Sequence, residues 1–138
     1  MKKLHLGVYG IVVVENKILL IKKARGPYIG LFDLPGGSIE HGEEIGEALK
    51  RELKEEVNIS ALDFSWFANY THQVSFTDAG QEIDMHHVAL IYKVDRFDIN
   101  DLRQDINFED VAGAEFFDIN NIDENLLSPF AKRVVREL

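Results

Sequence analysis

Three glutamates in the first half of the chain have the spacing of a metal-binding helix face. Residues three and four apart on an α-helix share one side, so Glu52, Glu55 and Glu56 are expected to converge. Converging carboxylates repel one another unless a cation lies between them, and hard oxygen ligands favour Mg²⁺ or Mn²⁺ over zinc. The spacing therefore predicts a divalent-metal site. A solvated acidic helix face is the alternative that stays open.

The same segment carries an apolar stripe on its other side. Apolar residues recurring every four positions are typical of a helix that buries one face against a sheet. The four positions of the stripe are Ile45, Leu49, Leu53 and Val57. We therefore predict a packed helix that begins near Glu43 or Glu44 and has an acidic outer edge.

A run of proline and glycine precedes this helix and predicts a loop. The run is Leu34-Pro35-Gly36-Gly37, and such residues usually mark turns. Glycine lets the backbone approach a ligand closely, so Gly36 and Gly37 can bring main-chain N–H groups and the helix N-terminus toward an anion. The loop and the acidic helix face are therefore predicted to share one ligand.

Residues 37–59 together resemble the Nudix (MutT-type) box. Gly37, Glu43, the Arg51-Glu52-Leu53 triplet and the Glu55-Glu56 pair stand at the spacing of that motif. The family pattern has glycine where this chain has Asn58. Asparagine tolerates the left-handed backbone that ends many helices, so we expect the replacement to be tolerated. Every charged position of the box is kept.

The resemblance implies a fold, which the rest of the chain fits. It implies one domain over residues 1–138, of the α+β class, built as an α/β/α sandwich with a mixed central β-sheet between helices. Periodicity alone indicates only an α+β domain. Apolar runs predict strands at residues 6–14 and 17–21, paired as a hairpin, and at 62–70, 71–77, 85–94 and 116–119. Ser128 is a predicted N-cap, with Pro129 opening a last helix that continues to Leu138.

The resemblance also implies an activity and a cofactor. It implies a Mg²⁺-dependent hydrolase, with Mn²⁺ as the alternative metal, in which a metal-activated water attacks phosphorus in a nucleoside diphosphate-linked compound. The downstream proline associated with ADP-ribose hydrolases is absent, because the only prolines are Pro27, Pro35 and Pro129. A nucleoside triphosphate pyrophosphohydrolase is therefore the favoured hypothesis. Two alternatives stay open: a non-catalytic Nudix-fold sensor of a nucleotide or ADP-ribose-like ligand, and an interaction domain.

The implied site residues fall into three groups. The metal ligands are Glu52, Glu55 and Glu56, of which Glu55 and Glu56 are also assigned to catalysis. The other catalytic candidates are Arg51, expected to pair with Glu43 or Glu55, and the general-base candidates Glu109 and Asp110. The substrate-binding candidates are Arg25, Phe32, Gly36 and Gly37. His86 and His87 are adjacent in a predicted strand, so they should point to opposite faces; we expect them to be structural or surface residues.

Composition narrows the class of protein further. The 138 residues are 46% hydrophobic, carry a net charge of −9 and include no cysteine. A chain this acidic does not fit a nonspecific nucleic-acid binder, which needs clustered Lys and Arg. No apolar run is long enough to cross a membrane, and no signal peptide is predicted. We expect a cytoplasmic protein whose partner is a nucleotide or another diphosphate-containing small molecule, and a homodimer stays open.

Overall fold

The computed structural model describes all residues 1–138 and contains nine strands and two α-helices. The strands before the first helix are β1 (Lys2–Ile11), β2 (Val13–Val14), β3 (Lys17–Lys23), β4 (Phe32–Asp33) and β5 (Gly36–Ser38). Helix α1 (Ile45–Val57) is followed by β6 (Ser60–Asp78), β7 (Gln81–Asp98), β8 (Asn107–Phe108) and β9 (Val111–Asp118). A short 3-10 helix (Glu124–Leu126) precedes α2 (Pro129–Glu137). Neither helix has the length and apolar character needed to cross a bilayer.

The strands form two sheets rather than one. The first sheet has the order β5-β1-β7-β6 and is mixed, because β1 and β7 run parallel while the other pairs are antiparallel. The second sheet is antiparallel, with the order β2-β3-β9-β8 and with β4 added to β3. The predicted hairpin therefore joins only β2 to β3, since β1 lies in the other sheet.

The two helices cover opposite sides of these strands. Along β3, Leu19 and Ile21 belong to the hydrophobic cluster that contains α1, whereas Ile18 and Leu20 belong to the cluster that contains α2. Successive strand residues point to opposite faces, so an unbroken apolar run is what a strand between two helices requires. This arrangement confirms the predicted α+β fold with strands between helices.

Helix α1 follows the predicted pattern except at its first turn. Leu49, Leu53 and Val57 are fully buried, but Ile45, at the first helical position, is 39% exposed. The helix ends at Asn58, whose φ of 55° and ψ of 42° are left-handed, as predicted for its replacement of glycine. The Asn58 side chain also donates to the carbonyl oxygen of Asp101 at 2.9 Å.

Strands β6 and β5 differ from the predictions, whereas the start of helix α2 agrees with its prediction. The predicted strands 62–70 and 71–77 are one strand, β6, which pairs with β7 along a single hairpin. Part of the predicted Pro-Gly-Gly loop is strand β5, because Gly36 and Gly37 pair with Tyr9 and Val8 of β1. At α2, the Ser128 hydroxyl accepts from the backbone N–H of Ala131, which confirms the predicted N-cap.

Candidate active site

A polar cavity of about 530 Å³ opens beside α1 and strand β5. Helix α1 contributes Glu52 and Glu55 to its wall, and β5 contributes Gly36 and Gly37. The facing wall comes from the segment after β3 and from the turn between β8 and β9. The cavity therefore brings together segments that are far apart in the sequence.

Glu56 lies just behind this wall. Glu56 is only 6% exposed, and its Oε1 accepts a hydrogen bond from the backbone N–H of Gly36 at 2.7 Å. Burial raises the pKa of Glu56 well above its usual value, against the Gly36 bond, and the nearby Glu52 carboxylate raises it further. A nearby cation strongly stabilises the charged form of a carboxylate that burial has destabilised in this way.

Glu52 is the second carboxylate of this group. Burial raises its pKa to about 7, although the neighbouring Arg51 opposes the shift. A Cβ atom at Gly37 would lie 2.8 Å from the Glu52 carboxylate carbon, so any other residue at position 37 would force the Glu52 carboxylate to move. Glu55, one turn along, is more exposed than Glu52.

Arg51 ties the carboxylates of this segment together. Its Nε donates to Glu43 Oε2 at 2.8 Å, and its Nη1 donates to Glu52 at 3.0 Å and to Glu55 at 3.3 Å. Its hydrogen bonds lower the pKa of Glu43 to about 2. The predicted pairing of Arg51 with Glu43 and Glu55 is therefore present. Arg51 Nη2 also donates to the backbone carbonyl oxygen of Ser38 at 3.0 Å.

The donor set fits a hard divalent cation, although it is not gathered into a finished ligand cage. No group of three His, Cys, Asp or Glu side chains is arranged to hold a metal ion, and the Arg51 guanidinium hydrogen-bonds one oxygen each of Glu52 and Glu55. Glu52 and Glu56 still offer hard oxygens in a buried setting that disfavours their own charge. A cation would compensate that charge. The assignment of the three glutamates as ligands stays a prediction.

The two general-base candidates form the turn between β8 and β9. Glu109 has a left-handed φ of 52°, and both Glu109 and Asp110 line the cavity. Asp110 forms a salt bridge with Lys23, and its carbonyl oxygen accepts from the N–H of Ala24 at 2.7 Å. Burial disfavours the charged form of Lys23, but the Asp110 carboxylate outweighs it and raises the pKa of the lysine.

Three of the four predicted substrate-binding residues line the cavity, and Phe32 does not. Arg25, Gly36 and Gly37 are part of the wall. Phe32 instead packs edge-on against Phe117, with 4.8 Å between ring centroids. Adjacent strand residues point to opposite faces, and the neighbour of Phe32 in β4, Asp33, takes the cavity side; the assignment of Phe32 to substrate binding stays a prediction that this cavity does not support.

The family of the chain follows from a comparison with known proteins. The model of the NUDIX domain matches residues 3–138. The chain belongs to the Nudix family. A solved relative, the MutT NUDIX hydrolase from Burkholderia pseudomallei, superposes with a TM-score of 0.75 at 26% identity, covering 97% of this chain and 96% of that one.

Two named relatives differ in how much of their length is matched. The ADP-ribose pyrophosphatase of Methanocaldococcus jannaschii is 35% identical over 83% of this chain, and the match spans 62% of that relative. The nucleoside triphosphatase NudI of Klebsiella pneumoniae (strain 342) is 33% identical over 80% of this chain and 82% of its own length. In two 8-oxo-dGTP diphosphatases, from Buchnera aphidicola and Escherichia coli, the match spans about half of the relative, 47% and 57%.

Several cavity residues outside the Nudix box were missed from the sequence. Asp33 is 2% exposed and lines the cavity, and its Oδ1 accepts from the Ser128 hydroxyl at 2.6 Å. Tyr28 and His87 line it as well. His87 is buried and His86 is exposed, so the predicted alternation is confirmed. That alternation was the only available signal, since it places one histidine of the pair toward the interior.

Proposed function

We propose that this Nudix protein is a divalent-metal-dependent hydrolase of a diphosphate linkage, with a nucleoside triphosphate as the favoured substrate and pyrophosphate as a product. The observation that carries the proposal is the pair Glu52 and Glu56: Glu52 is half-buried and lines the polar cavity, and Glu56 is buried just behind its wall. Burial raises the pKa of both carboxylates. Perturbed acidic groups in a cleft are typical of functional sites.

One relative supports a triphosphate as substrate. The relative named as a nucleoside triphosphatase is matched along 82% of its own length. The relative named as an ADP-ribose pyrophosphatase, matched along 62% of its length, makes ADP-ribose the second substrate to test.

Glu52, Glu55 and Glu56 would hold the metal, which we propose is Mg²⁺, with Mn²⁺ as the alternative. When bound, such a cation neutralises charge on the diphosphate oxygens and lowers the pKa of water. Arg51 orients two of these carboxylates through its hydrogen bonds to Glu52 and Glu55. Its bidentate contact with Glu43 holds the guanidinium in place.

The remaining cavity residues serve the phosphate groups and the attacking water. Arg25, which lines the cavity, provides a positive charge for a terminal phosphate. Asp110 would accept the proton of the attacking water from a fixed position, since the N–H of Ala24 and the side chain of Lys23 hold its backbone and its carboxylate. Glu109, beside it on the same turn, is the alternative base.

The test is a metal-dependent hydrolysis panel. Release of phosphate and pyrophosphate would be measured from nucleoside triphosphates, nucleotide sugars, ADP-ribose and dinucleoside polyphosphates, with and without Mg²⁺. The Glu56→Gln variant should be inactive. The matched control is Glu47→Gln, an exposed change on the same helix that should leave turnover intact. Turnover that survives in Glu56→Gln would overturn the proposed site. Tight nucleotide binding without any turnover would replace the hydrolase with a ligand sensor.

A further inference from the structure

A buried histidine at the cavity is held between two tyrosine hydroxyls. His87 is 3% exposed. Its Nε2 lies 2.7 Å from the Tyr9 hydroxyl, and its Nδ1 lies 3.1 Å from the Tyr28 hydroxyl. We call these three side chains the Tyr9–His87–Tyr28 relay. None of them belongs to the Nudix box, and all three line the cavity.

The protonation state of His87 fixes how many groups in the relay donate and how many accept. Burial, together with the nearby His5 and Lys23, lowers the pKa of His87 to about 3, so the ring is neutral at physiological pH. A neutral imidazole has one donor nitrogen and one acceptor nitrogen. One tyrosine must therefore donate to His87 while the other accepts from it.

Because the Tyr28 hydroxyl either donates to His87 or accepts from it, its other function is free to bond a ligand in the cavity. When Tyr28 accepts from His87, its own O–H is free to donate to a ligand. When it donates to His87, its oxygen lone pairs are free to accept. The two arrangements differ only in the tautomer of His87 and the rotation of the hydroxyls. A ligand group of either polarity can therefore be satisfied at this point.

The surroundings of Tyr28 favour an organic ring as that ligand. Tyr28 packs with Ile83 and Met85 in a small hydrophobic cluster, separate from the two main cores, and Phe76 packs against it. Tyr28, Phe76 and Met85 all line the cavity, to which helix α1 contributes the carboxylates of Glu52 and Glu55. Apolar and aromatic surface with a few convergent polar groups is typical of sites that bind a flat organic group.

We propose that Tyr28 is a substrate-binding residue that hydrogen-bonds an amino or oxo group of the substrate nucleobase, with His87 as the positioning residue that holds its hydroxyl. This inference rests on the proposed function, since it assumes a nucleotide whose phosphates lie at the carboxylate wall. It assigns the two ends of the cavity to the two ends of one substrate.

The test is equilibrium binding, which does not require turnover. Calorimetry would measure the affinity of α,β-methylene analogues of CTP and UTP, which differ in an amino or oxo group, and of base-free inorganic triphosphate, with Mg²⁺ present. Tyr28→Phe should weaken both nucleotides by about three- to tenfold, the usual effect of one lost neutral hydrogen bond, and leave triphosphate unchanged. Tyr70→Phe is the matched control, because that buried hydroxyl bonds Glu137 away from the cavity.

His87 is tested separately because its role is indirect. His87→Phe should raise KM for nucleotides while kcat stays within about twofold, as expected when binding common to ground and transition states is lost. The exposed neighbour provides the control, His86→Phe, and thermal melts establish that each variant is folded. If His87→Phe does not fold, Tyr28→Phe decides alone.

The outcomes separate this inference from the hydrolase proposal. Unchanged nucleotide affinity in Tyr28→Phe, or an equal loss for inorganic triphosphate, would overturn it even if hydrolysis is found. Nucleotide binding that depends on Tyr28 without any turnover would support it and overturn the hydrolase. Wild-type protein that binds the nucleotide analogues no better than inorganic triphosphate would also overturn it.

Discussion

The backbone N–H of Gly36 donates to the carboxylate of Glu56 at 2.7 Å, which ties strand β5 to helix α1. An amide oxygen can accept the same bond. We therefore expect Glu56→Gln to keep the fold and to remove one buried charge that burial already disfavours. Stability without metal should be unchanged or higher, and the Mg²⁺-dependent rise in melting temperature should disappear. Activity should fall by more than the roughly 10- to 100-fold typical of changes at residues that only orient metal ligands.

Thermal melts across a Mg²⁺ titration check this prediction, with Glu47→Gln as the control. A Glu56→Gln protein that is still stabilised by Mg²⁺ as strongly as the wild type would show that this carboxylate does not contribute to metal binding.

Gly37→Ala should damage the site more than the fold. The new Cβ would lie 2.8 Å from the Glu52 carboxylate carbon, and that carboxylate is the end of a flexible side chain that can move. Gly36→Ala is the contrasting change, since its Cβ would lie 2.1 Å from the carbonyl oxygen of Val8, at a φ of 148°. We expect Gly37→Ala to lose activity with little change in stability. Gly36→Ala should lose roughly 3 kcal/mol or more of unfolding free energy.

Denaturant unfolding and the hydrolysis assay together measure the two glycine variants. Equal effects on stability would contradict the distinction, because then a rigid neighbour rather than a movable carboxylate would surround both positions.

Arg51→Lys should weaken the site although it keeps the positive charge. Lysine cannot make the paired contact of the Arg51 guanidinium with Glu43 while also reaching Glu52 and Glu55. We expect activity to fall by about 10- to 100-fold, as for other residues that orient ligands. The pKa of Glu43 should rise from about 2 toward its ordinary value, because its hydrogen bonds to Arg51 hold it low.

The pKa of Glu43 can be read from the carboxyl carbon shift in an NMR titration. Lys50→Arg, on the exposed side of the same helix, is the control for both measurements. A Glu43 that still titrates near 2 in Arg51→Lys would argue that the charge alone, and not the guanidinium geometry, sets this carboxylate.

His87 should make the folded state sensitive to acid. Its pKa is about 3 in the folded protein and near 6.5 in an unfolded chain. The folded state therefore binds this proton less readily. Its contribution to stability is complete above about pH 6.5 and is lost as the pH falls toward 3, by up to about 1.4 kcal/mol per pH unit. His87→Gln should remove this part of the pH dependence.

The measurement is the free energy of unfolding from pH 7 to pH 4 in wild type, His87→Gln and the exposed control His86→Gln. Other groups titrate in this range, so the informative quantity is the difference between curves. Parallel curves for wild type and His87→Gln would contradict a buried, neutral His87.

The features that could be predicted from sequence are local ones. Helix α1 was predicted correctly because its spacing repeats every turn and its end at Asn58 follows a local backbone rule. Strand β5 was missed since two glycines carry no strand propensity, and only pairing with distant β1 makes them extended. The Lys23–Asp110 salt bridge joins residues 87 positions apart. No spacing in the sequence reports such a contact.

The position of Phe32 outside the cavity could not be predicted for a related reason. Sequence alone indicates that Phe32 and Asp33 face opposite ways, but not which face meets the cavity. The aromatic residue was the natural candidate for stacking on a base. The side was decided instead by Phe117 on β9 and by the hydrogen bond from Ser128 to Asp33, both supplied by the last third of the chain.

Strand β1 lies between the two helical layers and sends Val8 into one core and Tyr9 into the other. Deleting or inserting one residue before this pair would exchange the two faces of the strand. Tyr9 would then leave His87, and Val8 after an insertion, or Gly10 after a deletion, would take its position. A shift of one residue would therefore damage packing and ligand recognition in the same event. In this chain, a two-residue insertion in β1 should be tolerated better than a one-residue insertion, because it returns each side chain to its own face.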